Sequence, residues 1–274
     1  MDSPRGKIAI FLMLTFALSA LLWVPIINSG DLGMGGGNYV LALMWCPGVA
    51  AILTRLVTQR NLRGQGWRPG GAKPLLAAYA LPVLYAAPVY LIVWALGAEG
   101  FDPAAWGSGQ RSPLAGVAVL ASMGVLISMI SATGEELGWR GLLVPELARL
   151  TGFRNVSLIS GVIWALWHMP LIVLANYHGE GTSTAYSIAC FAVMVTGLSF
   201  IAAWLRLSSG SFWPAALFHA SHNLFVQGVF DAATVDGGSP DFFVGEFGAG
   251  LALTSLVAAY LLTRRYAVTV SSSS

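Results

Sequence analysis

Charged residues are scarce in this chain. Only 9% of its 274 residues are Asp, Glu, Lys or Arg, against 56% hydrophobic, where a soluble domain carries about 25% charge. That shortage excludes an ordinary soluble globular domain. The net charge of +2 leaves no electrostatic footprint for nucleic acid, and none is expected as a partner. Cysteine is nearly absent too. Cys46 and Cys190 both fall inside apolar runs and form neither a disulfide framework nor a CxxC metal pattern, so they read as small buried residues. No HExxH occurs, which excludes the thermolysin-like zinc spacing. The short alternating segments of a membrane barrel are missing as well.

What is present is a series of long apolar runs, each of a length to span a bilayer as a helix. The expected fold class is all-α: a polytopic bundle of about eight spans, forming one membrane domain over residues 1–274. The spans are read at about Ile8–Ile27, Tyr39–Val57, Leu75–Leu96, Leu114 to the Glu135-Glu136 stretch, Val156–Ala175, Thr184–Leu205, Phe212–Phe230 and Val244–Thr263. The first run is too long for a signal-peptide core and is read as a retained span. A short interfacial or re-entrant helix is expected at Gly141–Leu150, and a disordered tail of four serines at the end.

Charge asymmetry gives an expected orientation. With eight spans, thirteen of the fourteen basic residues share one side with both termini, among them Arg55, Arg60, Arg63, Arg68, Arg140, Arg149 and Arg206; only Arg111 lies opposite. Asp31, Glu99, Asp102, Glu180, Asp231, Asp236, Asp241 and Glu246 fall on that opposite side. The positive-inside rule then places both termini in the cytoplasm of a plasma (inner) membrane.

The chemistry concentrates in a few polar groups set among hydrocarbon. Gly134-Glu135-Glu136-Leu137-Gly138-Trp139-Arg140 closes an apolar run that carries no charge from Leu114 to Ser131. Ionisable residues in such a setting are functional candidates. His168 lies one turn after Trp164, and His219 and His222 accompany Asn223. His178 sits in a loop and reads as a solvated residue. Counted along their helices, His168 and His219 lie roughly 12 to 18 Å from the basic side. An active site facing the cytoplasmic leaflet is therefore expected, with a lateral opening to lipid.

Helical geometry separates the two glutamates. Positions four apart share a face, so Arg140 can neutralise Glu136, while Glu135 points about 100° away. A poorly solvated carboxylate without a cation is suited to act as a general base. Asn223 shares a face with His219, and His222 lies to the other side of it.

These three groups, Glu135-Glu136-x-x-x-Arg140, Trp164-x-x-x-His168 and His219-x-x-x-Asn223, resemble the EExxxR, FxxxH and HxxxN motifs of the CAAX protease and bacteriocin-processing (Abi) family, the type II CAAX prenyl endopeptidases. Trp164 stands where the family has Phe. The family-like core covers about residues 114–230. The resemblance implies an intramembrane endopeptidase acting on a membrane-associated, possibly prenylated peptide or protein. It implies that Glu135 and His168 activate a water, that His219 and Asn223 hold the oxyanion, and that Glu136 and Arg140 form a supporting pair. Trp139, Trp164 and His222 are expected to line the cavity. No cofactor is expected; the alternative is a zinc held by Glu135, His168 and His219. Two rival readings are a non-catalytic membrane scaffold or immunity protein, and a transporter using Glu135 as an ion site. The latter lacks the repeated halves such folds show.

Overall fold

The apolar runs become helical rods. The computed structural model describes residues 3–107, 112–179, 181–235 and 241–271, with side chains through residue 264. Arg111, Glu180, Asp236 and the serines at 272–274 lie outside the described residues, as does the side chain of Arg265. The rods are α1 (Pro4–Ser29), α2 (Asn38–Gln59), α3 (Ala72–Ala95), α4 (Pro113–Ala148), α5 (Phe153–Leu174), α6 (Thr184–Ser209), α7 (Trp213–Asn223, continued by a π turn at Leu224–Phe230) and α8 (Ala249–Ser271). The first six are long and apolar enough to cross a membrane, and the chain is an all-α, multi-pass integral membrane protein. A two-residue antiparallel ladder, β1 (Gly100–Phe101) with β2 (Thr234–Val235), ties two loops together.

Rod α4 departs from expectation. It does not stop at the glutamates to give a separate interfacial helix at Gly141–Leu150. It runs unbroken for 36 residues, about 54 Å at 1.5 Å per residue. Two π turns, Leu120–Gly124 and Trp139–Leu143, absorb the irregularity within it. Single π turns of this kind insert an extra residue and disturb the regular carbonyl pairing around them.

Small residues set the position of α4. Gly134 and Gly138 are four apart and face α2. A Cβ on Gly134 would stand 2.7 Å from the Met44 carbonyl oxygen, and one on Gly138 2.4 Å from Pro47 Cβ. Close backbone approach through such a GxxxG face is how membrane helices gain contact where no hydrophobic force separates helix from lipid. With the glycine face on α2, the carboxylates between the two glycines turn towards α5 and α7.

The end of α4 is then pinned by buried side chains from the basic face. Gln65 Nε2 donates to the Leu137 carbonyl (2.5 Å), Arg206 Nε to that of Arg140 (2.7 Å), and Arg55 Nη2 to that of Gly141 (3.0 Å). The Leu137 carbonyl precedes the second π turn, and those of Arg140 and Gly141 lie within it. A buried carbonyl without a partner costs about 1–3 kcal/mol, so these donors stabilise the turn directly.

Candidate active site

Glu135, Glu136 and Arg140 are 1%, 0% and 0% exposed. Arg140 Nη1 donates to Glu136 Oε1 at 2.8 Å, the expected pairing one turn apart. The same oxygen accepts from His219 Nδ1 at 3.1 Å. Glu136 is therefore a bridge between α4 and α7. Its acceptor role fixes the proton on His219 Nδ1, which leaves Nε2 as the nitrogen available to the cavity.

Among the described residues no Lys or Arg forms a salt bridge with Glu135. Its Oε2 accepts from the indole of Trp164 at 2.8 Å and from that of Trp139 at 3.2 Å. Trp164 thus holds the carboxylate through a hydrogen bond that a phenylalanine cannot make. Its ring also lies under the Arg140 guanidinium, 4.3 Å from the centroid. His168 Nδ1 donates to the Trp164 carbonyl at 2.9 Å, so its lone pair is on Nε2. The Trp164 ring centroid is 5.2 Å from that of His219 and 6.1 Å from that of His168.

One cavity of about 1460 Å³ joins these groups; Glu135, Trp164, His168, His219, His222 and Asn223 all line it. Trp139 is fully buried behind Glu135 and is not part of the wall. His222 is in the wall, yet both of its nitrogens are engaged. Nε2 meets Glu246 Oε1 at 3.1 Å and Nδ1 meets the Tyr85 hydroxyl. Glu246 also accepts from Tyr177 at 2.7 Å.

The cavity extends away from the basic end of the bundle. The wall reaches Glu99, Tyr177, Asp231, Asp241 and Glu246, in loops on the face opposite Arg60 and Arg68. None of the cavity's lining residues comes from residues 58–73, 139–155 or 206–211. The reason is local packing. Counting residues along a helix gives depth, but the pins from Gln65, Arg55 and Arg206 close the basic end. A lateral approach exists beside α4, where Ile127 lines the cavity and is 65% exposed.

The loop carboxylates were counted in the sequence only as charges of one side. Glu246 is bound by groups far away in the chain, and nothing near it signals that. Burial alone would raise its carboxyl; the hydrogen bond and charge of His222 and the hydroxyl of Tyr177 overcome burial and hold it down to about 2. Asp231 goes the other way. Burial pushes it up to about 7, the Tyr90 hydroxyl opposes that, and the nearby Glu246 and Asp241 charges reinforce it.

Among the described residues no three His, Cys, Asp or Glu side chains are grouped closely enough to hold a metal ion as they stand.

Comparison with known proteins bears on the same stretch. Residues 117–225 match the family described as Type II CAAX prenyl endopeptidase Rce1-like. This segment resembles that family. It contains Glu135, Glu136, Arg140, Trp164, His168, His219 and Asn223, whereas Asp231 and Glu246 lie beyond it. A curated relative, CAAX prenyl protease 2 of Methanococcus maripaludis, is 32% identical over 104 residues, covering 36% of this chain and 38% of the relative. The chain thus spans about 38% of the length of the curated relative it matches.

Proposed function

We propose that the chain is an intramembrane endopeptidase that hydrolyses a peptide bond of a membrane-associated substrate. The observation that carries this reading is the placement of Glu135, His168, His219 and Asn223 on one cavity, with the Glu136–Arg140 pair behind them. Glu135 takes a proton from a water, and the resulting hydroxide attacks the scissile carbonyl. His168 Nε2 accepts a hydrogen bond from the same water and orients it. The oxyanion that forms is met by the Asn223 amide and by Nε2–H of His219 in its doubly protonated form, donors aimed at developing charge. Glu135 then returns its proton to the leaving amine as the C–N bond breaks. Water is consumed, and a carboxylic acid and an amine are produced. Glu136 is the positioning residue: it fixes the His219 ring and neutralises Arg140.

The relative's name, a CAAX prenyl protease, suggests a substrate with a prenylated cysteine near its C-terminus. The aromatic wall of Trp164, Trp167 and Phe191 and the gap beside Ile127 suit such a group. The positive-inside rule puts the basic loops in the cytoplasm. The test is reconstitution in liposomes with peptides that end in a farnesylated or an unmodified CAAX sequence, read by mass spectrometry. Release of the C-terminal tripeptide from the farnesylated peptide is expected. Intact peptide, with wild type and Glu135→Gln indistinguishable, would favour a membrane scaffold.

A further inference from the structure

A second pocket, of about 370 Å³, lies at the basic end of the bundle, where the start of α1, the end of α2 and the end of α4 meet. Its walls carry four cations, Lys7, Arg55, Arg63 and Arg149, and one carboxylate, Glu146. Three of the cations surround that carboxylate. Arg149 Nη1 is 2.9 Å from Glu146 Oε2, while Lys7 Nζ and Arg55 Nη1 are 3.8 and 3.9 Å from Oε1. Even with Lys7 set aside, Glu146 is the one carboxylate among the described lining residues against Arg55, Arg63 and Arg149. Glu146 and Arg55 are buried, whereas Arg149 is 56% exposed and Arg63 is also open to solvent. The pocket therefore has a fixed floor and an accessible cationic rim.

We propose that this pocket binds a phosphate group at the membrane surface, with Arg63 and Arg149 closing on its oxygens and Lys7 at its base. Guanidinium forks match phosphate oxygens two at a time. The location selects the source: basic pockets between helix ends on the cytoplasmic side are where anionic lipid headgroups dock. The proposal does not depend on the proteolytic reading. It does predict a connection to the cavity. Arg55, on the pocket floor, also donates to Gly141, next to Arg140 in the π turn that supports Glu136. A bound phosphate would hold Arg55 and with it the floor of the site.

The test uses the full chain purified in neutral detergent and melted at constant ionic strength. Additions are short-chain phosphatidylglycerol, short-chain phosphatidylcholine and inorganic phosphate. The pocket variant is Arg63→Ala/Arg149→Ala. Its control is Arg68→Ala/Lys73→Ala, which removes two exposed cations from the same face outside the pocket. Phosphatidylglycerol should raise the melting temperature by about 5 °C at a hundredfold excess over its dissociation constant. The pocket variant should lose that shift and the control should keep it. Arg63→Ala alone, which leaves the Arg149–Glu146 pair in place, should lose part of it. An equal shift with inorganic phosphate would support the pocket and assign it to the free anion. Absence of any shift with both would overturn the proposal. So would a lipid shift that survives in the pocket variant, or one lost equally in the control.

Discussion

The adjacent glutamates, alike in composition, are predicted to fail in different ways when neutralised. Glu135→Gln keeps the side-chain volume and an oxygen to accept from the indoles of Trp139 and Trp164. What it loses is the base. Turnover should fall by a factor of about 10² to 10⁴ with folding spared. Glu136→Gln should act on the fold. Arg140 is 0% exposed, and its Nε and Nη2 already have no hydrogen-bond partner. Among the described residues no other carboxylate is hydrogen-bonded to Arg140, so an amide at position 136 leaves its buried charge with only the Trp164 ring beneath it and the Glu135 charge nearby. Breaking a buried pair from one side costs about 3 kcal/mol or more, which lowers the melting temperature by roughly 6–12 °C at this chain size. The amide oxygen can still accept from His219 Nδ1, so some activity per folded molecule should remain, above that of Glu135→Gln. Both variants are purified, melted, and assayed on one peptide substrate. If Glu135→Gln turned over normally while a well-folded Glu136→Gln were dead, the two roles would be reversed and the mechanism above wrong.

Three further outcomes are expected. A cysteine at Arg68 should be protected from an impermeant thiol reagent in intact cells, and one at Asp102 labelled; the opposite pattern would invert the orientation. Chelation should leave cleavage intact, whereas a stoichiometric metal with zinc-reversible inhibition would restore the His2Glu reading. Stability should fall as pH rises from about 4 to about 7, because over that window Asp231 binds a proton in the folded state and not in the unfolded one. Asp231→Asn should flatten that slope in melts taken across the range; an unchanged slope would show that Asp231 is not its source.

The helical architecture was legible because hydrocarbon permits few backbone solutions, and each apolar run maps to one rod. The Glu136–Arg140 pair was legible for a similar reason: within one helix, spacing is geometry. Three features were not. The mouth of the cavity depends on which loops close over which end, and Gln65, the residue that helps shut the basic end, sits in an unremarkable loop. The His222–Glu246–Tyr177 cluster joins α7, the loop before α8 and the loop after α5, a pairing that no local pattern encodes. The continuity of α4 was hidden by its glycines. Gly138 and Gly141 each lie where another chain segment comes too close for a Cβ, Pro47 in one case and Gln65 in the other.

The stretch from Gly134 to Arg140 works as one unit because its two faces do opposite things. The glycine face gives α4 a fixed depth and rotation against α2, so the carboxylate face has one direction available. That direction carries Glu136 to His219 on α7, and Glu135 to Trp164 on α5. Arg140 then links the site to the basic end. Its guanidinium faces Glu136, and its carbonyl accepts from Arg206, which also donates to Gly64 in the loop that seals that end. Without the π turn at Trp139–Leu143, the Arg140 carbonyl would lie in regular helix register, with less reason to take a side-chain donor. The irregular turn is therefore what lets one residue serve the cavity on one side and the seal on the other. It also explains how two adjacent carboxylates are tolerated at this depth: each is held by donors from a different helix, and only one of them is left facing open space.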